Sequence, residues 1–332
     1  MTKGRLAEIV RGFEGRSVLV AGDLVADQFL FGEISRVSRE APVLILRHER
    51  TETVPGGAAN CVMNLASLGA RAAIVGAVGD DETGRALLDK LEAAGVDCGG
   101  VIVRPGLRTT TKVRILAGQA HSPRQQVIRV DYEGGAGGEA LAGELSARLG
   151  GVLASAEAVV VSDYNYGAGG EAVTEFVRRE AAGKILLADS RFRLEAFRGF
   201  TSATPNEEEV ERWAGRPLEG VKAVAEAGER LRALLGLRAL LVTRGKNGFV
   251  LVEEGEDVFS APAVGSHDAV DVTGAGDTVI ATYALALASG ASFRDAARLA
   301  NHAGGIVVLK RGTATVSAAE LLASVEGAGE AV

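Results

Sequence analysis

Short apolar runs alternate with longer helix-compatible segments along most of the chain. Ser17-Val18-Leu19-Val20-Ala21-Gly22-Asp23 reads as a buried strand that runs into a loop, and Ala72–Gly79, Ala158–Asp163, Lys184–Asp189 and Ala239–Gly245 repeat the theme. Continuous apolar strands separated by helices mark a parallel sheet covered on both faces. Most of these strands end in a polar residue or a glycine, at the C-terminal edge where such sheets place their ligands. Residues 28–54 and 107–133 differ, because apolar and polar positions alternate there, as in Thr111-Lys112-Val113-Arg114-Ile115-Leu116 and Val127-Ile128-Arg129-Val130-Asp131-Tyr132. That period predicts half-buried antiparallel strands, forming a small sheet that projects as a lid over the strand edge. The Gly134-to-Gly138 stretch predicts a mobile turn, and the Ala/Gly-rich tail after Ala323 predicts a frayed end.

The composition narrows the partners. A chain of 332 residues with 47% hydrophobic positions has ample material for a large core. A net charge of -7 argues against a general nucleic-acid binder, so any anionic ligand must be met by local cations or backbone N–H groups. Cys61 and Cys98 lack metal-ligand spacing, which predicts a disulfide-free protein. With neither a signal-peptide pattern nor a membrane-length apolar run, the expectation is a soluble cytoplasmic enzyme with no membrane partner.

The densest chemistry lies in Asp271-Val272-Thr273-Gly274-Ala275-Gly276-Asp277, which leads straight into an apolar helical run. Glycines at a helix start let backbone come close to a ligand, and the first-turn N–H groups aim at whatever lies in front. A carboxylate beside such an anion hole can take a proton from a hydroxyl while the hole steadies the group being transferred. That combination suggests phosphoryl transfer to an alcohol. Pro55-Gly56-Gly57-Ala58-Ala59-Asn60 is either a plain helix start or a ligand loop in which Asn60 meets hydroxyls. Asp23 and Asp27 either cap loops or grip a sugar. Thr204-Pro205-Asn206-Glu207-Glu208-Glu209 is explained by helix-start chemistry alone, yet Asn206 and Glu209 on one helical face could also orient a hydrated Mg²⁺. Thr243-Arg244-Gly245 is a plain turn or a nucleotide contact. No metal or acid–base role falls to His48, His121, His267 or His302.

Taken in order, Pro55–Asn60 and Asp271–Asp277 resemble the two signatures of the PfkB (ribokinase-type) carbohydrate kinases, and the resemblance covers nearly the whole chain. It implies a ribokinase-like three-layer α/β/α domain with a mostly parallel central sheet and a small β-sheet lid. Within the family the chain resembles the kinases of D-glycero-β-D-manno-heptose 7-phosphate. The residues that carry this are Gly22–Asp27, Ser35-Arg36-Val37-Ser38-Arg39-Glu40-Ala41-Pro42-Val43, Thr111–Arg114, Gln125–Asp131 and Ser162-Asp163-Tyr164. The resemblance implies Asp277 as the base for the anomeric 1-hydroxyl and the amides of Gly274, Ala275, Gly276 and Asp277 as the anion hole. It assigns Asp27, Gly56, Gly57 and Asn60 to the sugar, with Asp23 close by and Asp163 on the acceptor side. Asn206 and Glu209 match an Asn-x-x-Glu element that organises Mg²⁺ and phosphate, while Thr243, Gly245 and Asn301 fall where the family contacts ATP. A monovalent-cation requirement and a homodimer paired through the lids are further implications.

Arg36, Lys112, Arg114 and Arg129 add a reading from the residues themselves. An acidic protein that binds a sugar phosphate must supply cations locally, and these four lie in the lid; the alternative is that they are simply solvent-facing positions. The chain departs from the related kinases at Tyr166 and at Arg191, where those have lysine, and it carries additional lid residues around Ala117–Arg124. No nucleotidyltransferase half is expected within 1–332, read as a single kinase domain. The competing expectations are a kinase of the same fold for ribose, fructose phosphate or adenosine, and an inactive sugar- or nucleotide-binding regulator.

Overall fold

The computed structural model describes residues 2–119, 124–134, 138–265 and 269–327. Thirteen strands and ten α-helices are described along the chain: α1 Thr2–Arg11, β1 Ser17–Gly22, β2 Leu24–Val37, β3 Leu44–Gly57, α2 Ala58–Ser67, β4 Arg71–Gly79, α3 Glu82–Ala93 and β5 Asp97–Arg104. Then follow β6 Thr111–Gly118, β7 Gln125–Tyr132, α4 Gly138–Val152, β8 Ala158–Asp163, α5 Glu171–Glu180, β9 Ile185–Ser190, β10 Ser202–Ala203 and α6 Glu207–Ala214. The last third holds α7 Gly220–Leu235, β11 Ala239–Thr243, β12 Phe249–Glu253, β13 Phe259–Ala261, α8 Ala275–Ala288, α9 Phe293–Val307 and α10 Ala318–Gly327.

The central sheet runs β13-β12-β11-β10-β9-β8-β1-β4-β5, with parallel pairing from β11 to β5 and an antiparallel edge at β12 and β13. Side chains of a strand alternate between the faces, and here both faces are covered. Val18 and Val20 of β1 enter a core with α2, α3, α8, α9 and α10, whereas Leu19 and Ala21 enter a second core with α4, α5, α6 and α7. This two-sided burial is why the strands read as unbroken apolar runs. Helix α8 is apolar all round because α2, α9 and strand β8 pack about it.

The lid is a four-stranded sheet in the order β3-β2-β6-β7. Its strands extend further inward than the alternation indicated, since Val25 and Ala26 are buried on both sides near the body. The antiparallel strands are present, β2 with β3 and β6 with β7, and the two hairpins join through a parallel β2–β6 pairing. Both β2 and β6 are the outgoing strands of their hairpins, so they leave the body side by side. A half-exposed strand shows the same alternation in either pairing, which left the direction undetermined. The frayed tail is corrected as far as Gly327, because α10 continues there with Leu321 and Val325 buried against the core, while 328–332 lie outside the described residues. Both cysteines are free thiols. The additional lid residues and the Gly134-to-Gly138 turn fall partly on 120–123 and 135–137, outside the described residues, and His121 and His267 also lie outside them.

Candidate active site

The site gathers where α8 begins, beside the C-terminal ends of β1, β8 and β9 and the inner ends of β2 and β3. Gly274 caps α8 with φ 78°, a left-handed conformation, and a Cβ there would lie 2.4 Å from the Asn60 amide nitrogen. Glycine is therefore required twice over at this position. Asp277, in the first turn, is buried at 3% exposure. Its Oδ2 accepts from Asn60 Nδ2 at 2.9 Å and its Oδ1 accepts from the Tyr164 hydroxyl at 2.7 Å. Burial, and then the neighbouring Asp189 carboxylate, push the Asp277 carboxyl up to about 7, against the two hydrogen bonds that favour its charged form. A carboxylate poised there can accept a proton near neutral pH.

Asn60 is aimed by a network rather than left free for a hydroxyl. Asn64 Nδ2 donates to Asn60 Oδ1 at 3.2 Å, and Asn64 Oδ1 in turn accepts from Thr278 Oγ1 and from the Val316 N–H. Asn60 Nδ2 also reaches Gly274 O at 3.2 Å, tying the two signature loops together. The Asn60 amide nitrogen is thus engaged by Asp277 and Gly274.

Asp23 and Asp163 are likewise scaffold in this arrangement. Asp23 accepts the backbone N–H groups of Tyr164, Tyr166 and Ala168 at 2.8, 3.0 and 2.7 Å. It thereby holds a turn in which Asn165 adopts a positive φ of 66°. Asp163 takes Arg193 through both carboxylate oxygens, together with Ser190 Oγ and Asn165 N–H. Asp163 accepts four bonds within the wall and Asp23 three, a use that strand-end position alone does not distinguish from ligand binding.

Asp27 forms a buried ion pair with Arg114. It lies so near Gly56 that a Cβ on that glycine would come 2.5 Å from Asp27 Oδ2. Gly57, at φ 57°, caps α2 beneath the Tyr164 ring. Lys112 sits opposite Asp27 in the β2–β6 register, with its Nζ 5.6 Å from the Tyr164 ring centre and 5.8 Å from that of Tyr166. Burial, and then the nearby Arg191 guanidinium, lower the Lys112 pKa. Arg129 shares this face opposite Arg114 but is paired with Asp131 at 2.9 Å and half exposed. Arg36 is not brought in: it is exposed and registers with Ile45 near the outer end of β2, roughly 30 Å from Asp27 at about 3.3 Å per residue.

Asn206 and Glu209 form a reciprocal cap of α6, with both backbone–side-chain bonds at 2.9 Å and a further Asn206 Nδ2–Glu209 Oε1 bond at 2.9 Å. The Asn206 side chain is engaged in this cap. Glu209 is buried, which raises its pKa, and it faces Asp189, whose carboxyl burial and Glu209 together push up to about 7. Among the described residues no three acidic, histidine or cysteine side chains converge as a metal cage. One or two carboxylates suffice for Mg²⁺ that retains its waters and leans on phosphate oxygens, and Asp189 with Glu209 fits that donor set.

Behind the α8 N-terminus opens a cavity of ≈ 440 Å³ that Thr243, Gly245 and Asn301 all line, with Ala275 and Gly276 at one side. Its walls include Leu241, Phe249, Val264 and Val308. Gly305 is needed there because a Cβ would lie 2.1 Å from Val264 O. Asn301 donates to Pro262 O at 2.8 Å, which steadies the loop over the cavity.

Tyr164, Asp189 and Arg191 are site residues that sequence reasoning did not select. Arg191 lies over the Tyr164 ring at 4.6 Å, and Asp189 and Tyr164 both act on Asp277. All three sit at or just past the ends of β8 and β9, and the strand-edge rule already applied to Asp23 would have found them.

Comparison with known proteins identifies the family and the fold. The pfkB family carbohydrate kinase model matches residues 16–320. The chain is 41% identical over 328 residues to "Bifunctional protein HldE" of Caulobacter vibrioides, covering 97% of this chain and 66% of that protein. It is also 41% identical over 316 residues to the protein of the same name from Chromohalobacter salexigens, covering 95% of this chain and 64% of that one. The chain thus spans slightly less than two thirds of the length of these relatives. Among solved structures, phosphofructokinase-2 from Escherichia coli in complex with substrates and products superposes with a TM-score of 0.76 at 19% identity, over 94% of this chain and 99% of that one. Arabidopsis thaliana ribokinase complexed with ribose and ATP gives 0.73 at 20% identity, again over 94% and 99%. At such identity these two show the ribokinase-like fold.

Proposed function

The chain belongs to the pfkB family of carbohydrate kinases, and on that premise we propose that it transfers the terminal phosphoryl group of ATP to the anomeric 1-hydroxyl of D-glycero-β-D-manno-heptose 7-phosphate, giving the 1,7-bisphosphate. The observation that carries this reading is the position of Asp277. Its buried carboxylate follows directly on Ala275 and Gly276, which line the nucleotide-sized cavity, and it bonds Tyr164, whose ring the lid cation Lys112 approaches at 5.6 Å. In the proposed reaction Asp277 accepts the proton of the acceptor hydroxyl as its oxygen attacks phosphorus. The N–H groups at the head of α8 take up the charge on the transferred group. Lys112, in reach of the acceptor side and without a carboxylate within ion-pair distance among the described residues, meets the phosphate that the acceptor already carries. Mg²⁺ held near Asp189 and Glu209 would supply charge neutralisation for the nucleotide phosphates.

The similarity to proteins named as bifunctional supports the heptose assignment, while Tyr166 and Arg191 argue for testing other phosphorylated sugars beside it. ADP release from ATP and Mg²⁺ is the assay, run against heptose 7-phosphate, fructose 6-phosphate, ribose, fructose and adenosine. Highest kcat/KM with heptose 7-phosphate is expected; preference for an unphosphorylated acceptor would overturn the assignment and the role of Lys112 together. The outer tip of the lid also exposes Val37, Val43 and Leu44, apolar side chains that pairing of two lids would cover, so a homodimer in sedimentation is part of the same reading. No described helix is long and apolar enough to cross a membrane.

A further inference from the structure

The Tyr164 hydroxyl donates to Asp277 Oδ1 at 2.7 Å, on the opposite carboxylate oxygen from Asn60. Its ring packs close over Gly57, where a Cβ would come 3.4 Å from Tyr164 Cδ2. The Arg191 guanidinium covers the ring at 4.6 Å and Lys112 approaches it at 5.6 Å. Tyr164 is therefore fixed by the Asp23-bound turn behind it and by cations at its ring. From this geometry we propose that Tyr164 is a positioning residue for the phosphoryl transfer: its hydroxyl aims the Asp277 carboxylate at the acceptor and favours the charged form that accepts the proton.

This role presupposes Asp277 as the base of the proposed reaction. Every element packed around that carboxylate contributes. From α2 come the Asn60 amide, which also donates, and the buried Cys61 thiol, whose pKa burial and then Asp277 push up. From β9 and the residue beyond it come Asp189, which opposes the charged form, and Arg191. From the lid, Asp27 opposes it too, although Arg114 is paired with Asp27. Two acidic neighbours thus press Asp277 toward its neutral form, and two hydrogen-bond donors resist them. Tyr164 is the donor with the shorter bond. Its own hydroxyl stays protonated, since burial and then the Asp277 charge hold its pKa well above the ordinary phenol range. It can therefore donate throughout the working pH range. With Tyr164 on one lone pair of Oδ1 and Asn60 on one of Oδ2, each oxygen keeps a further lone pair for the acceptor hydroxyl.

The test is Tyr164→Phe, which deletes one oxygen and keeps the ring. The readout is kcat/KM for the acceptor at saturating ATP from pH 5.5 to 9, with ATP binding measured in parallel as a check on folding. Losing the donor raises the Asp277 pKa, so the acid limb of the profile moves to higher pH by about one unit, and losing the aim lowers the alkaline plateau as well. A limb that stays in place or moves down overturns the proposal, as does an equal loss at every pH. Asp277→Asn separates the two readings. Near-normal turnover in that variant removes the base itself, whereas an inactive Asp277→Asn with an unmoved Tyr164→Phe limb removes the role of Tyr164 alone.

Discussion

Asp277→Asn should abolish turnover and, above neutral pH, make the protein more stable. Burial and the adjacent Asp189 carry the Asp277 carboxyl from its ordinary 3.8 to about 7, which at about 1.36 kcal/mol per tenfold change in proton affinity destabilises the folded state by roughly 4 kcal/mol once the group is ionised. The sign follows from the direction. A carboxyl whose folded pKa is raised binds its proton more tightly in the folded state, so folding is least penalised below the unfolded pKa. The penalty grows as pH rises toward 7 and is complete above it. Asparagine is never charged and removes this burden. It also turns an N–H₂ toward either Asn60 Nδ2 or the Tyr164 hydroxyl, both of which donate to Asp277. A mismatched donor pair of that kind costs about 1–3 kcal/mol, leaving a net gain of about 1–3 kcal/mol at pH 8 and a net loss at pH 4.5. Urea unfolding at pH 4.5, 6 and 8 reads the stability difference, and ADP release at pH 8 reads activity. Loss of a general base is worth about 10²- to 10⁴-fold in kcat. A stability difference that is flat with pH, or a variant less stable than its parent at pH 8, would refute the electrostatic account; residual activity within tenfold of the parent would refute the base.

Other substitutions probe the surrounding parts. Lys112→Ala should raise KM for a phosphorylated acceptor about tenfold or more while changing KM for ATP little, since charge-assisted bonds contribute about 1.5–3 kcal/mol; equal effects on both would remove its phosphate role. Gly305→Ala should weaken ATP binding, because its methyl would lie 2.1 Å from Val264 O and must displace the cavity wall, and an unchanged Kd for ATP by calorimetry would contradict that. Asp23→Asn should lower stability by about 1–3 kcal/mol in urea, because an amide can no longer accept from Tyr164, Tyr166 and Ala168 on both of its terminal atoms. A variant with parental stability would show that the turn holds itself.

The parts of this protein that were legible from its residues share one physical property: their pattern follows from local backbone demands. Buried parallel strands read as apolar runs because both faces are covered, and Gly274 announces a backbone conformation that other residues adopt only under strain. Thr243, Gly245 and Asn301 come together as expected around one cavity. What stayed hidden is how carboxylates and amides divide between ligand and scaffold. Asp23, Asp27, Asp163 and Asp277 are all acidic residues at or near element ends, and nothing local separates them. In the fold Asp23 is taken up by three backbone donors, Asp27 and Asp163 each face an arginine, and Asp277 meets one side-chain amide and one phenol hydroxyl with the Asp189 carboxylate nearby. Backbone donors and guanidinium groups tie a carboxylate into the wall, whereas two single donors leave Asp277 a further lone pair on each oxygen for an incoming hydroxyl. The partners come from segments more than a hundred residues away in several cases, such as Asp23 to Tyr164 and Asn60 to Asp277. Which carboxylate becomes the base is therefore a tertiary property, set by what surrounds it rather than by the motif in which it stands.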